Sequence, residues 1–196
     1  MLLKMKSTII SLVLALMLGA CCFYYFAIYH SVSDVYVSSD YVGYSTGNRL
    51  FNSAELIVIG TPAKDFGDRE VHLTELPKGF VADIVTFTEI NVEKVLNGPE
   101  EDAVNLTVIE PIGVYQTFKG KKRIAYEGYT EMKKGSKYLI FSKKNSYGQY
   151  SVINMQAGKF NLDGTDSDDS KGSPSKQRMF TELTTNFAKE LKGAVQ

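Results

Sequence analysis

Few residues in this chain could support histidine or cysteine chemistry. Two histidines occur, His30 beside an apolar N-terminal run and His72 in a polar stretch. Neither stands in a metal-binding spacing such as H-E-x-x-H, and no nucleophile-elbow sequence is present. We therefore predict no catalytic residue, no metal site and no cofactor, and we interpret His72 as a solvated loop residue. A Ser–His–Asp site assembled in space stays open as the alternative.

Acidic residues are concentrated after the last predicted strand, at Asp163, Asp166, Asp168 and Asp169. Carboxylates at alternating positions can bind calcium, but an EF-hand loop also needs a central glycine and a terminal glutamate. Gly164 is in the wrong place for this role, and no glutamate follows at the right distance. Residues 163–175 have the composition of a linker, so we predict a solvated acidic linker.

A basic segment with interleaved aromatic residues lies at 112–131, where we predict a long loop. Lysine and arginine can pair with anions, and aromatic rings can stack on planar or sugar faces. This segment is the candidate binding site, for an anionic wall polymer or lipid, with binding that weakens as salt rises. The alternative is that the lysines keep strand edges soluble. The candidate residues are Tyr115, Phe118, Lys121, Lys122, Arg123, Tyr126 and Tyr129.

Charge and cysteine content exclude some classes of function. Lysine plus arginine equals aspartate plus glutamate, at 22 each, so the overall charge gives no reason to expect nucleic acid as a partner. The two cysteines, Cys21 and Cys22, are adjacent and lie in the apolar N-terminus. The globular part therefore has neither a disulfide nor a cysteine-based metal site.

The N-terminal segment, residues 1–30, is predicted to be a membrane anchor. Lys4 and Lys6 precede an uncharged run, Ser7–Tyr29, that is long enough to span a bilayer. Positive charge before the run predicts a single-pass protein whose C-terminal domain lies outside the cytoplasm. Two alternatives stay open: Leu18–Cys21 resembles a lipobox, which would make Cys21 the lipidated residue of a lipoprotein, and an ordinary signal peptide would give a secreted protein.

Residues 31–53 are predicted to be a tether with a short helical turn, and residues 54–162 a mainly β domain. The longest strand is predicted within Phe80–Leu96. Its apolar alternation slips by one position between Phe87 and Ile90, so we predict a β-bulge near Thr88–Glu89 that keeps Val85, Phe87, Ile90 and Val92 on the core face. Because bulged strands bend, this pattern favours a small barrel of five or six strands.

The C-terminus, residues 176–193, is predicted to be an amphipathic helix. Ser173 can cap it and Gly193 can end it. Phe180, Leu183, Phe187 and Leu191 recur at spacings of three and four and form one apolar face. We expect this face to pack on the barrel; docking of a partner protein is the alternative.

An ordered set of sequence patterns runs through residues 54–161: AELIVIGT, FTEINVEKVLNG, NLTVIEP, KKGSKYLIFSKK and YSVINMQAGKF. This set resembles a group of uncharacterised secreted or membrane-anchored proteins of Gram-positive bacteria. The resemblance implies an OB-like barrel similar to that of netrin-module and metalloprotease-inhibitor (TIMP-like) proteins. The inhibitors use a free N-terminal cysteine to chelate the zinc of their target, and this chain has no cysteine in its domain. The inhibitory activity is therefore not implied.

Together these features predict a membrane-anchored extracytoplasmic binding module without catalytic activity. Its ligand would be a protein or peptide, or an anionic envelope polymer. A hydrolase with an unrecognised site and a protease-inhibitor-like protein are the alternatives. Inward-pointing acids or a histidine in a cleft would favour an enzyme, whereas an apolar core with a basic, aromatic loop face would favour binding.

Overall fold

The computed structural model describes residues 2–170, 173–189 and 191. By its contacts the chain forms two compact units, residues 1–35 with 114–123 and residues 36–113 with 124–196. Helices and strands follow in this order: α1 (Leu2–Phe23), β1 (Val32–Val37), α2 (Gly47–Ser53), β2 (Leu56–Pro62), β3 (Glu70–Leu76), β4 (Phe80–Asn97), β5 (Thr107–Glu110), β6 (Ile112–Thr117), β7 (Gly120–Tyr126), β8 (Tyr138–Lys144), β9 (Tyr150–Val152), β10 (Lys159–Asn161), α3 (Ser167–Ser170) and α4 (Pro174–Asn186).

The first unit contains one long apolar helix. Helix α1 continues into a π-helical turn, Tyr24–Tyr29, so the chain stays helical through the whole apolar run. The stretch Ile9–Tyr29 is long and apolar enough to cross a membrane, and none of it is buried against the rest of the protein. An isolated helix with apolar side chains all round has no stable place in water, which is the property expected of a membrane anchor or a signal sequence.

The second unit is built on a closed barrel of five strands, and the fold is mainly β, as predicted. The strands follow the order β8–β2–β4–β5–β9, and pairing of β8 with β9 closes the ring. Strands β5 and β9 run parallel, and the other barrel pairs are antiparallel. A five-stranded Greek-key barrel of this kind is OB-like.

Burial on both faces accounts for the apolar runs in strands β2 and β8. Leu56 and Val58 point into the barrel, whereas Ile57 and Ile59 point outward and are equally buried. The outward face is covered by α2 and α4. A strand that is buried on both sides needs apolar residues at every position, which is the pattern LIVI has.

Strand β4 faces the core with different residues from those predicted. Ile84, Thr86, Thr88 and Ile90 are buried, whereas Val85 and Phe87 are only partly buried. The alternation therefore runs unbroken through residues 84–90, and the predicted bulge at Thr88–Glu89 is wrong. Threonine occupies interior positions here because its hydroxyl has buried partners, the Ile112 carbonyl for Thr86 and the Glu110 carboxylate for Thr88.

Bulges do occur in β4, but at other positions. Its pairing with β2 skips Glu93 and Leu96, and its pairing with β3 skips Ala82. Ile90 is buried and Val92 packs against the barrel interior, as predicted. The bend that closes the barrel therefore comes from the C-terminal half of the strand.

Strands occur in the polar segment around His72 and in the predicted loop at 112–131. Residues 63–79 include β3, which pairs only with β4 and exposes most of its side chains. Residues 112–131 include the hairpin of β6 and β7, and the strand order in this second sheet is β1–β7–β6. Residues 63–79 are polar because they bury little surface, and this composition resembles that of a loop, whereas Ile112, Ile124 and Ala125 of the second segment are buried.

Helices α2 and α4 form a second apolar cluster with the outer face of β2 and β8. Leu183 and Leu191 are buried, and Phe51 stacks on Phe187 with 3.7 Å between ring centroids. The predicted apolar face and its packing on the barrel are confirmed, as is the cap, because the Ser173 hydroxyl accepts from the Lys176 amide. Helix α4 ends at Asn186 and residues 187–189 form a turn, so the prediction of a helix to 193 is too long; Gly193 itself lies outside the described residues.

Candidate functional site

A fully buried carboxylate, Glu110, ends strand β5. Its Oε1 accepts from Arg69 Nη1 at 2.7 Å and from the Thr88 hydroxyl, and its Oε2 accepts from Tyr129 Oη at 3.0 Å and from the Met132 amide at 2.8 Å. Arg69 is buried too, and it also donates to the Met132 carbonyl. Both carboxylate oxygens therefore have two donors each, and the charge is neutralised by one arginine.

A second buried carboxylate, Asp169, binds two lysines. Its Oδ1 lies 3.1 Å from Lys159 Nζ and accepts from Lys176 Nζ, and both ammonium groups are buried. Its Oδ2 accepts from the Asn161 amide at 2.8 Å. Asp169 therefore holds two positive charges that have little access to water.

A third carboxylate, Asp166, is bound by Lys133 and Tyr138. Lys133 Nζ lies 2.9 Å from Asp166 and 2.9 Å from Asp168, and Tyr138 Oη donates to Asp166 at 2.7 Å. Lys159 Nζ lies 5.2 Å from the Tyr138 ring centroid and 5.3 Å from that of Tyr129. The three carboxylate sites therefore belong to one network, called here the ion-pair network: Arg69, Glu110, Lys133, Lys159, Asp166, Asp168, Asp169 and Lys176.

The prediction of a solvated acidic linker at 163–175 is wrong for two of its four aspartates, whereas Asp163 and Asp168 are exposed. Asp166 and Asp169 are buried, and Asp169 lies in the helical turn α3. Lysines that are distant in sequence converge on these aspartates, so the carboxylates are already neutralised. Among the described residues no group of three or more histidine, cysteine or acidic side chains is placed to hold a metal ion.

Proton affinities in the ion-pair network follow from burial and hydrogen bonds. Burial alone would raise the pKa of Asp166, but hydrogen bonds from Lys133 and Tyr138 outweigh it and hold that pKa below its ordinary value. Burial, reinforced by Glu110, raises the pKa of Tyr129 well above its ordinary value. Burial lowers the pKa of Lys176 to about 8, although Asp169 opposes the change.

Beside the ion-pair network lies an open cleft of about 790 Å³, called here the cleft. One wall carries Tyr41 and Tyr44, and the opposite elements contribute the turn Asn154–Ala157 and the first turns of α4 with Lys176 and Arg178. The Tyr41 ring is 47% exposed. The cleft therefore presents aromatic and charged groups together at the surface of the second unit.

The walls of the cleft are held in an unusual backbone conformation. Glu127, Asn154 and Met155 line the cleft at φ values of 49°, 60° and 50°, in the left-handed region. The Asn154 side chain accepts from the Tyr44 amide at 2.8 Å and donates to the Tyr44 carbonyl at 3.1 Å, which fastens the two walls together. Non-glycine residues in this conformation are concentrated at functional sites.

The charges that line the cleft differ in whether they are already paired. Lys176 is bound by Asp169, and Glu127 accepts from the Ser39 amide at 2.8 Å. Arg178 is exposed and makes no hydrogen bond or ion pair within the described part of the chain. Its guanidinium is therefore available to an anionic ligand, and a planar fork of this kind suits carboxylate or phosphate.

Six of the seven predicted binding residues lie on the β6–β7 hairpin. Tyr115 lies on β6, Phe118 at the hairpin turn, and Lys121, Lys122 and Arg123 on β7, all in the first unit. In the second unit, Tyr126 Oη donates to Asp83 at 2.8 Å.

Tyr129 is the clearest correction among these residues. It is buried and donates to Glu110, so it is not part of an exposed binding face. Its hydroxyl can be buried because that carboxylate accepts its hydrogen bond.

Neither histidine lines the cleft. His72 is exposed on β3, with its ring 6.5 Å from that of Phe87 and perpendicular to it. His30 lies beside the Tyr25 ring, at 4.5 Å. His72 is thus on a strand and not in the predicted loop.

The buried ions and the cleft were not found from the sequence. The one available signal was position: Glu110 ends an apolar strand, and Lys159 lies between Gly158 and Phe160. A charge within an apolar pattern indicates a buried pair. Comparison with models of known protein families gives no match, and comparison with curated protein sequences gives none either.

Proposed function

We propose that this chain is a membrane-anchored extracytoplasmic binding module that does not catalyse a reaction, and that its ligand is an anionic envelope polymer bound in the cleft. The observation that carries the proposal is the exposed Arg178, which has no partner among the described residues, in a cleft that also presents Tyr41 and Tyr44. Arginine pairs with carboxylate or phosphate, and tyrosine rings pack on sugar or peptide faces. A polymer of anionic sugar units offers a partner to the arginine through its acidic groups and to the tyrosines through its sugar faces.

Anchoring is supported by the N-terminal helix and the charges that precede it. Lys4 and Lys6 come before the apolar run, and positive charge on that side favours an N-terminus inside and a domain outside. Helix α1 continues through Cys21 without a break, and the aromatic residues Tyr24–Tyr29 extend the apolar run beyond it. A lipoprotein would have a flexible polar tether after its cysteine, so this continuity supports an uncleaved anchor.

Binding is favoured over catalysis by the state of the buried acids. Glu110, Asp166 and Asp169 point inward, but each is neutralised by arginine or lysine. A general acid at neutral pH needs a raised pKa, whereas the pKa of Asp166 is lowered. The ion-pair network therefore supports a structural role, which is to hold the walls of the cleft.

Replacing Arg178 by glutamine is expected to weaken binding of purified anionic wall polymer by about tenfold or more, because a charge-assisted hydrogen bond contributes roughly 1.5 to 3 kcal/mol. Calorimetric titration of the full-length protein in detergent micelles measures this change. Arg49→Gln is the matched control, because Arg49 is exposed on α2 and does not line the cleft. We expect near-parental affinity for this control. Equal losses of affinity in both variants, or no loss in either, would show that the cleft is not the binding site.

A further inference from the structure

The turn of the β6–β7 hairpin is fastened to the end of the apolar run. Tyr24 Oη donates to the Phe118 carbonyl at 2.8 Å, Gln116 Nε2 to the Tyr29 carbonyl at 3.0 Å, and the Lys121 amide to the Ser31 carbonyl at 2.7 Å. All of these residues belong to the first unit. The turn therefore has a defined position relative to the helix end.

A glycine permits this close approach. Gly120 has φ of +105°, and a Cβ built there would lie 2.8 Å from the Ile28 carbonyl oxygen and 2.4 Å from the Ser31 hydroxyl. Any larger residue would both strain the backbone and push the hairpin away from the helix end. The contact is thus built partly into the backbone, through the Lys121 amide and the Ser31 carbonyl, and partly into the side chains of Tyr24 and Gln116.

The length of the apolar run sets the depth of the turn. Ile9–Tyr29 has 21 residues. At about 1.5 Å per residue a helix of that length spans about 31 Å, close to the roughly 30 Å of a hydrocarbon core. Tyr24 lies about 7.5 Å before the end of such a span. Because the hairpin bonds to Tyr24 and also to the carbonyls of Tyr29 and Ser31 at the end of the span, its turn would lie between the outermost hydrocarbon and the outer headgroups.

The side chains of the turn suit that position. Phe118 is 89% exposed, and the nearby helix presents Phe26 at 73% and Tyr25 at 49%. Lys119 and Lys122 are exposed on the same hairpin. Aromatic rings are favoured at the membrane–water boundary, and lysines beside them attract anionic headgroups.

We propose that the β6–β7 turn is a second membrane contact, which inserts Phe118 among the headgroups and places Lys119 and Lys122 against anionic phospholipid. This contact rests on the proposed anchoring of Ile9–Tyr29, and it is distinct from the cleft. The protein would then contact the membrane at two places, the helix and the hairpin turn. The lysines of the hairpin would have anionic lipid as their partner.

Tryptophan fluorescence provides the test, because the chain contains no tryptophan. Full-length Phe118→Trp is reconstituted in phosphatidylcholine vesicles with or without phosphatidylglycerol, and acyl-brominated lipids act as quenchers. Phe26→Trp reports on the anchor. Val35→Trp is the aqueous control, because β1 carries it six residues, about 20 Å, beyond Tyr29. We expect at least twofold quenching at Phe118→Trp and Phe26→Trp and little at Val35→Trp.

The outcomes separate the two proposals. Quenching at Phe26→Trp with Phe118→Trp as unquenched as Val35→Trp would overturn the second contact and leave the anchor. No quenching at either Phe26→Trp or Phe118→Trp would overturn the anchor and the contact together. Adding Lys119→Ser and Lys122→Ser to Phe118→Trp should abolish the increase in quenching that phosphatidylglycerol gives. An unchanged dependence on this lipid would overturn the role of the lysines.

Discussion

Replacing Glu110 by glutamine is expected to lower the free energy of unfolding by about 3 to 5 kcal/mol, because removal of one partner leaves a buried charge uncompensated. Arg69 loses its neutralising carboxylate, since Arg69 Nη1 lies 2.7 Å from Glu110 Oε1 and both side chains are buried. The amide nitrogen also replaces an oxygen that accepts two hydrogen bonds. Urea unfolding of the full-length protein in detergent micelles, followed by circular dichroism, measures the loss.

An exposed ion pair on the neighbouring strand supplies the control for Glu110. Glu89 lies 2.6 Å from Lys64, and both side chains are about half exposed. Glu89→Gln is the same chemical change, and we expect it to cost less than about 1 kcal/mol. Equal costs for the two variants would show that burial of the Glu110 pair does not matter to stability. Adding Arg69→Met to Glu110→Gln should recover part of the loss, because the uncompensated charge is then gone.

Replacing Asp169 by asparagine is expected to destabilise the fold by a similar amount, about 3 to 5 kcal/mol, because two buried ammonium groups lose their shared carboxylate. Lys176→Met should cost much less, since Asp169 keeps Lys159 and the Asn161 amide as partners. Combining Asp169→Asn with Lys176→Met should recover part of the loss by removing one of the two cations. A double variant less stable than Asp169→Asn would contradict this account of the ion-pair network.

The cost of Asp169→Asn should also depend on pH. In the parent, burial lowers the pKa of Lys176 from 10.5 to about 8. Without Asp169 the pKa in the folded state is expected to fall further. From that lower pKa up to about pH 8, Lys176 is protonated in the unfolded variant but not in the folded variant. Over this range only the variant therefore gains stability as pH rises. The difference in free energy of unfolding between the parent and Asp169→Asn should therefore narrow up to about pH 8 and then level off. A difference that widens over this range would contradict the assignment.

The strands that could be predicted are those whose buried faces produce a recognisable apolar pattern in the sequence. The first four residues of strand β2, LIVI, and of strand β8, YLIF, are all buried and apolar apart from the tyrosine hydroxyl, and α4 has a regular apolar face. Strand β4 was located correctly, but its inward face was not, because Thr86 and Thr88 are interior residues with buried hydrogen-bond partners. A polar side chain with a partner elsewhere in the fold looks solvent-facing in the sequence.

The candidate site could not be predicted for the same reason. Lys159, Asp169 and Lys176 come together only because β10, α3 and α4 fold against one another, and no spacing in the sequence marks their pairing. Arg178 differs from Arg49 only by its place in a cleft. The basic hairpin was recognisable as a feature, but its position at the end of the apolar run follows from hydrogen bonds between distant residues.

The central claim is that the cleft faces the outside of the cell and binds an anionic polymer there. The most direct measurement is the rate at which a membrane-impermeant maleimide labels Ser175→Cys on intact cells, with and without added anionic wall polymer. Ser175 lines the cleft and is exposed, and Arg49→Cys is the control outside it. The parent protein, with Cys21 and Cys22, gives the background. We expect both new cysteines to be labelled without permeabilisation, and the polymer to slow labelling at Ser175→Cys only. Labelling that requires permeabilisation, or polymer that leaves Ser175→Cys unprotected, would contradict the claim.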